Sequence, residues 1–327
     1  MRSFPARRTA TTALVVGSAA VVVGIAAVVA IVALGIGVGI GGGARTGAGT
    51  RPAHDGASAG MSTSSPTPTP AGSRSTTTGN AVVTLPPAHG RADYQLGGSY
   101  PPEPSVEIVV RDSSSSPVSG VYNICYVNAF QTQPGDAEFW TGQHPDLVLQ
   151  SADGGPLVDP EWPDEYLLDT SSGSKRAAIA AIVNGWIDEC AAKGFQAVEP
   201  DNLDSYSRSH GALTQADNIA LATQLVRHAH ESGLAIAQKN TPDLGSAAAD
   251  TIGFDFAVAV AEECQVYNEC GAYTDVYGTH VIEIEYADTP RAAFTAACAA
   301  RGASISVLLR DRGVAPASSP AYRYETC

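Results

Sequence analysis

Short apolar runs alternate with helical patterns along the chain after Gly90. The runs are rich in β-branched residues and predict strands over residues 106–110, 121–127, 166–168, 196–198, 234–237, 254–259, 281–284 and 304–309. Amphipathic patterns over residues 175–193, 214–232 and 290–300 predict helices between several of them. Alternating strands and helices indicate a parallel sheet, and eight strands favour a (β/α)8 TIM-type barrel over a doubly wound sheet.

A different pattern fills the first ninety residues. Three arginines precede an uncharged run over residues 13–40, and about 28 apolar residues exceed the roughly 20 that span a bilayer. We therefore predict a cytoplasmic stub with a signal-anchor over residues 1–40, in preference to a cleaved signal peptide. Residues 41–90 read as a low-complexity linker, and residues 91–327 as the folded domain. The domain should be extracytoplasmic, anchored by the N-terminal segment or secreted if that segment is cleaved.

Charge and cysteines narrow the range of partners. The formal charge is −14, and because the first ninety residues carry +5, the remainder carries −19. A nucleic-acid partner is excluded by this balance, whereas a cationic or neutral partner suits it. Six cysteines after an export segment indicate disulfides. Cys264 with Cys270 should close a small loop, and Cys298 should tie down Cys327; zinc is the weaker interpretation because no Cys-x-x-Cys pair occurs.

Carboxylates follow most of the predicted strands. In a parallel barrel the carboxyl ends of the strands meet at one mouth, so these side chains should form a ring there. The ring would contain Asp112, Asp169, Glu199, Asp201, Glu262, Glu263, Glu285 and Asp311. Such a cluster could bind Ca²⁺, but the absence of an EF-hand loop favours glycosidic hydrolysis by a carboxyl pair. Aromatic residues expected near the mouth, for stacking on sugars, are Tyr126, Trp140, Trp162, Tyr206, Tyr267 and Tyr286.

Several longer motifs resemble those of one enzyme family. They are Tyr-Asn-Ile-Cys-Tyr at 122–126, Val-Glu-Pro-Asp-Asn-Leu-Asp at 198–204, Gln-Lys-Asn at 238–240, Glu-Glu-Cys-Gln-Val-Tyr-Asn-Glu-Cys at 262–270 and Glu-Ile-Glu-Tyr at 283–286. Together they resemble glycoside hydrolase family 114 from about residue 93 to residue 327. The resemblance implies a TIM barrel with endo-α-1,4-polygalactosaminidase activity, whose substrate is cationic where it is de-acetylated.

The resemblance also implies which residues act. The family's acidic pair corresponds to Asp201 and Glu262, although Ala261 stands where the family has Asn and Glu263 offers a second candidate. The other expected substrate contacts are Glu199, Asn202, Asp204, Lys239, Asn240, Glu263, Glu285, Tyr126, Asp112 and Asp169. Lys239 could alternatively lower the pKa of a carboxyl group. No cofactor or metal is expected. A non-catalytic module binding a cationic glycan is the alternative function, and a deacetylase is disfavoured because no His/Asp metal set is evident.

Overall fold

The computed structural model describes residues 83–327, and within this range the side chains of residues 257–261 are left undescribed. The predicted membrane segment over residues 1–40 and nearly all of the linker lie outside these residues. None of the helices within residues 83–327 combines the length and the apolar character needed to cross a bilayer.

Within residues 83–327 nine strands form one sheet in which sequence order is also spatial order. The first eight are parallel and the ninth runs antiparallel to the eighth. They are β1 Ala92–Tyr94, β2 Ile108–Asp112, β3 Tyr122–Asn128, β4 Ala197–Asp201, β5 Ala235–Gln238, β6 Phe256–Glu262, β7 Val281–Tyr286, β8 Ser306–Arg310 and β9 Tyr324–Thr326. The predicted parallel α/β architecture is confirmed, with the consecutive strand order of a TIM-type fold.

Helices connect most of the strands. They are α1 Ala137–Gln143, α2 Gly173–Lys193, α3 Gln215–Glu231, α4 Ser246–Ile252, α5 Cys264–Tyr267, α6 Gly271–Tyr277 and α7 Arg291–Arg301. Four single 3₁₀ turns lie at Pro134–Asp136, Pro145–Leu147, Ser205–Arg208 and Pro242–Leu244. The three predicted helices match α2, α3 and α7 closely because their ends carry local signals. Thr214 forms a capping box with Asp217 at the start of α3, and Gly194 ends α2 with φ of 93°.

The two edge strands of the parallel sheet, β1 and β8, approach each other but do not pair to close a barrel. Among the described residues no backbone ladder joins β8 to β1, so the closed (β/α)8 barrel expected from the sequence is not found. Side chains make the contact instead: Arg310 of β8 lies 3.3 Å from Asp93 of β1. Beyond the strands Gly97 N donates to Val314 O (3.1 Å), and a Cβ at Gly97 would lie 2.6 Å from that oxygen.

One predicted strand was wrong, and the strands β1 and β9 were not predicted. Residues 166–168 form only isolated antiparallel bridges in the long connection between β3 and α2, because their partners are nearby loop residues such as Gln131 and Val148. The sheet instead begins at β1, which has only three residues. Its central Asp93 is buried and binds Tyr100, Gln95 and Arg310, so no apolar run marks this strand.

Side chains alternate between two cores along each strand. Inward positions such as Ile124, Ala197, Ala237 and Ile284 pack together inside the curved sheet. Outward positions such as Val198 and Ile236 pack against the helices. The period of two therefore decides which strand residues face the interior.

Three disulfides join all six cysteines: Cys264–Cys270, Cys298–Cys327 and Cys125–Cys190. The first two confirm the predicted pairs. The third ties β3 to α2 across 65 residues of sequence. Three disulfides in one domain are typical of an extracytoplasmic protein.

Candidate active site

Inward-facing residues at the ends of β4, β5 and β6 form a charged cluster. Glu199 and Asp201 are two positions apart on β4 and therefore point to the same side. Lys239 directly follows β5, and Glu262 ends β6 after a β-bulge between Val258 and Ala261. The strand ends thus bring three carboxyl groups around one ammonium group.

Lys239 occupies the centre of this cluster. Its Nζ lies 3.1 Å from Asp201 Oδ1, 3.4 Å from Glu199 Oε1 and 3.7 Å from Glu262 Oε2. The side chain is only 4% exposed. Burial alone would lower the pKa of Lys239, but the three carboxylates raise this pKa well above its usual value. Lys239 is therefore a fixed positive charge at neutral pH.

Asp201 is held in its ionised form. Its Oδ2 accepts a hydrogen bond from the Tyr126 hydroxyl (2.7 Å) and its Oδ1 accepts one from Asn202 N (2.7 Å). Burial alone would raise the pKa of Asp201, but Lys239, Tyr126 and Asn202 outweigh burial and lower this pKa below its usual value. A charged carboxylate at the mouth of the sheet can act as a nucleophile or a base.

Glu199 has the opposite character although it lies beside Asp201. It is completely buried, its Oε1 accepts from the Tyr94 hydroxyl (2.6 Å), and its Oε2 has no hydrogen-bond partner within the described residues. Burial raises the pKa of Glu199 to about 8 in spite of Lys239. Burial therefore favours the protonated form of Glu199 and keeps its side chain away from solvent.

Glu262 faces the cluster across from Asp201. Asn240 Nδ2 donates to Glu262 Oε2 (2.9 Å), and the Tyr286 hydroxyl donates to Oε1. A quarter of the Glu262 side chain is exposed, so it can reach a bound molecule.

The chain turns sharply where these strands end. Asn202, Asn240, Thr241 and Glu263 all have positive φ, between 48° and 69°. Asn tolerates the left-handed region, whereas this conformation is costly for Thr and Glu. Strained backbone at adjacent strand ends is characteristic of a functional site.

The cluster lies in an open cleft of about 510 Å³. Eight of the residues predicted as site residues line this cleft: Asp112, Tyr126, Asp201, Asn202, Asp204, Lys239, Asn240 and Glu262. The exposed ring of Trp162 and the ring of Tyr286 also line it, as expected for sugar stacking. Trp140 does not, because it is fully buried in the outer core.

The domain that contains this cleft matches a known enzyme family. The model of glycoside-hydrolase family GH114 matches residues 72–327. The chain belongs to family GH114. This GH114 domain is therefore a glycosidase.

Two solved structures show the same fold as the GH114 domain. Ega3 of Aspergillus fumigatus, solved in complex with galactosamine, is 24% identical, with a TM-score of 0.60 over 76% of this chain and 100% of that chain. The glycoside hydrolase domain of PelA from Pseudomonas aeruginosa is 15% identical, with a TM-score of 0.50 over 69% of this chain and 96% of that chain. No curated protein sequence matches the chain.

Three predicted substrate contacts lie away from the cleft of the GH114 domain. Glu285 is fully buried on the outward side of β7, where its Oε1 accepts from Gln265 N (3.1 Å) and burial raises its pKa to about 7. Asp169 pairs with Lys175 at the start of α2. Glu263 pairs with Arg312 (2.7 Å), so its charge is neutralised while Glu262 faces Lys239.

The cleft residues that the sequence did not reveal include Tyr94, Glu165, Arg208 and Arg312. Tyr94 belongs to the unpredicted strand β1. The other three lie in irregular connections, where no periodicity marks the orientation of a side chain. Arg208 follows the Asp201 motif closely and pairs with Asp204 four residues earlier, a spacing that could have indicated it.

Metal-ligating side chains also approach one another elsewhere in the domain. Cys264, Cys270 and Glu283 lie close enough together to hold a metal ion. The two sulfurs are bonded to each other, however, and so provide no thiolate ligands.

Proposed function

We propose that this GH114 domain hydrolyses an α-1,4-linked polysaccharide rich in galactosamine, with Asp201 and Glu262 as the catalytic carboxyls. The observation that carries the proposal is the pairing of these two carboxyls around Lys239 in an open cleft. An acidic cleft favours a cationic substrate, and galactosamine units carry an ammonium group when they are not acetylated. The Ega3 structure, which contains galactosamine, supports the same class of sugar.

The environments of the two carboxyls suggest how they divide the reaction. Asp201 has a lowered pKa, so it suits attack on the anomeric carbon. Glu262 is partly exposed and lies on the other side of Lys239, so it suits proton donation to the leaving oxygen. In the first step Glu262 protonates that oxygen as the anomeric C–O bond breaks and Asp201 bonds to the anomeric carbon. Water, deprotonated by Glu262, then releases the sugar from Asp201.

The separation of the pair favours retention of the anomeric configuration. Lys239 Nζ is 3.1 Å from Asp201 Oδ1 and 3.7 Å from Glu262 Oε2. These two oxygens are therefore no more than about 7 Å apart, a limit that admits the roughly 5–5.5 Å of retaining enzymes and only the short end of the roughly 6.5–9.5 Å of inverting ones. We expect the first product from an α-linked polymer to be the α-anomer, as NMR of the fresh product would show.

Two isosteric variants test the catalytic pair. We expect Asp201→Asn and Glu262→Gln each to lower the release of reducing ends from α-1,4-galactosaminan by about 10³-fold or more, the order seen when a catalytic group is removed. Asp275→Asn on α6 and Glu138→Gln on α1 are matched controls, because both are exposed and neither lines the cleft. Full activity of Asp201→Asn would refute the proposed pair. Release of oligomers only from unrelated α-glycans would refute the substrate and leave the hydrolase activity standing.

A further inference from the structure

Some of the carboxyl groups that line the cleft form ion pairs with a lysine or arginine side chain, and others do not. Asp201 and Glu262 face Lys239. Arg208 lies 2.7 Å from Asp159 and 3.0 Å from Asp204. The positive side chains of the cleft are therefore already engaged by acidic partners.

Glu165 lines the same cleft without such a partner. Within residues 83–327 no lysine, arginine or histidine nitrogen forms an ion pair with it. Its Oε2 accepts a hydrogen bond from the neutral Asn128 Nδ2 (3.1 Å). Its Oε1 has no hydrogen-bond partner in the described part of the chain and is not among the buried unpartnered atoms, so this oxygen is open to the cleft.

Asn128 fixes Glu165 close to the reacting centre. Asn128 ends β3 directly opposite Asp201 of β4. Its Nδ2 donates to Glu165, while its Oδ1 accepts from Asn202 Nδ2 (2.9 Å). In a 2-amino sugar, the nitrogen is on the carbon next to the anomeric carbon. Asn128 thus links Glu165 to the strand end that carries Asp201, the proposed nucleophile for the neighbouring anomeric carbon.

We propose that Glu165 binds the ammonium group of a galactosamine unit and makes the cleft prefer de-acetylated over N-acetylated units. The assignment rests on the proposed function and adds to it the group that selects the acetylation state. An ammonium group gives Glu165 the cationic partner that the protein does not supply. An N-acetyl group brings no charge and a larger substituent to the same place.

The protonation behaviour of Glu165 agrees with this role. Burial raises the pKa of Glu165 to about 7, and the negative charges of Asp201 and Asp159 add to burial, whereas Asn128 and Arg208 oppose it. A carboxyl with this pKa is partly protonated in the free enzyme at neutral pH. Contact with an ammonium group favours its ionised form, so a cationic sugar gains an attraction that a neutral sugar does not.

The decisive experiment compares two forms of one polymer. De-acetylated α-1,4-galactosaminan and the same preparation after chemical re-acetylation have equal chain lengths and differ only in charge and substituent. The kcat/KM of the full chain and of Glu165→Gln is measured on both. Glu165→Gln keeps the shape and can still bond Asn128, but it lacks the negative charge. We expect kcat/KM on the de-acetylated polymer to fall about tenfold, mainly through KM, with less than a twofold change on the acetylated polymer.

Asp164→Asn is the matched control because Asp164 is the exposed neighbour of Glu165 and does not line the cleft. It removes one negative charge from the same loop and should leave the ratio between the two polymers unchanged. An equal loss on both polymers in Glu165→Gln, or no change in the ratio, would overturn the proposal. A wild-type enzyme inactive on both polymers would refute the proposed function itself, whereas an active wild type with an unaltered ratio in Glu165→Gln refutes the role of Glu165 alone.

Discussion

Replacing Lys239 with Met tests whether this buried ammonium group controls the charge of Asp201. Lys239 Nζ is 3.1 Å from Asp201 and is almost fully buried, so solvent screens the attraction weakly. Methionine has a similar length and no charge. Without Lys239, the effect of burial, which raises the pKa of Asp201, is opposed only by hydrogen bonds.

The structure sets the size of the expected effects. An opposite charge within about 4–6 Å shifts a carboxyl pKa by about 1–3 units, so the acid limb of the kcat/KM profile should move to higher pH by at least about one unit. Activity should then fall more at pH 5 than at pH 8. Removing one partner from a buried ion pair costs about 3–5 kcal/mol, and we expect the free energy of unfolding at pH 7 to fall by about that amount.

The assay is the pH dependence of kcat/KM on galactosaminan for wild type and Lys239→Met, with urea unfolding of the same samples. Lys193→Met is the control: Lys193 is exposed at the end of α2, bonds Ser113 O and does not line the cleft. A folded Lys239→Met enzyme that keeps the wild-type acid limb would show that Lys239 does not control the charge of Asp201. An equal movement of that limb in Lys193→Met would show the same.

Further predictions concern stability, substrate binding and the cystine between β3 and α2. Burial raises the pKa of Glu199 in the folded protein to about 8. The free energy of unfolding should therefore fall as the pH rises from the ordinary pKa of a glutamate to about 8, because the unfolded chain releases this proton first. Glu199→Gln removes this ionisation. Its effect on the free energy of unfolding, measured in urea, should therefore be about 2–4 kcal/mol more favourable at pH 9 than at pH 4. Trp162 is 52% exposed at the cleft, and Trp162→Ala should raise KM for the polymer about two- to tenfold with kcat kept, whereas the exposed Tyr267, outside the cleft, should tolerate Ala. Replacing Cys125 and Cys190 together with Ala opens a link across 65 residues and should lower the free energy of unfolding by about 4 kcal/mol, measured against the wild type in urea. An unchanged unfolding midpoint would contradict this last expectation.

The sequence predicted the positions of the candidate catalytic residues because strand ends are local features. Asp201, Lys239 and Glu262 each directly follow or end an apolar run, and parallel strands bring these ends together. The same rule misplaced Glu285 because the end of a strand alone does not say on which side of the sheet a side chain lies. Tyr286 faces inward, so the alternation of side chains sends Glu285 to the outward side of β7.

The remaining features depend on contacts that no local pattern encodes. Strand β1 is stabilised by Asp93, whose partner Arg310 lies 217 residues later in the chain. Glu165 reaches the cleft from the long irregular connection between β3 and α2, where neither a period of two nor one of 3.6 applies. Side-chain orientation there is decided by tertiary bonds such as the one from Asn128.

The balance of charge in the cleft connects stability with function. Seven carboxyl groups line it, namely Asp112, Asp159, Glu161, Glu165, Asp201, Asp204 and Glu262, against three cations, Lys239, Arg208 and Arg312. Each cation is engaged by more than one carboxylate, so the free enzyme retains uncompensated negative charge whose repulsion destabilises the fold at and above neutral pH. A cationic polymer relieves this repulsion when it binds, whereas a neutral one does not. The excess of negative charge that lowers the stability of the empty domain therefore also makes charged sugars bind more tightly than acetylated ones. Glu165→Gln, which removes one of these charges, should increase the free energy of unfolding and reduce the preference for the de-acetylated polymer.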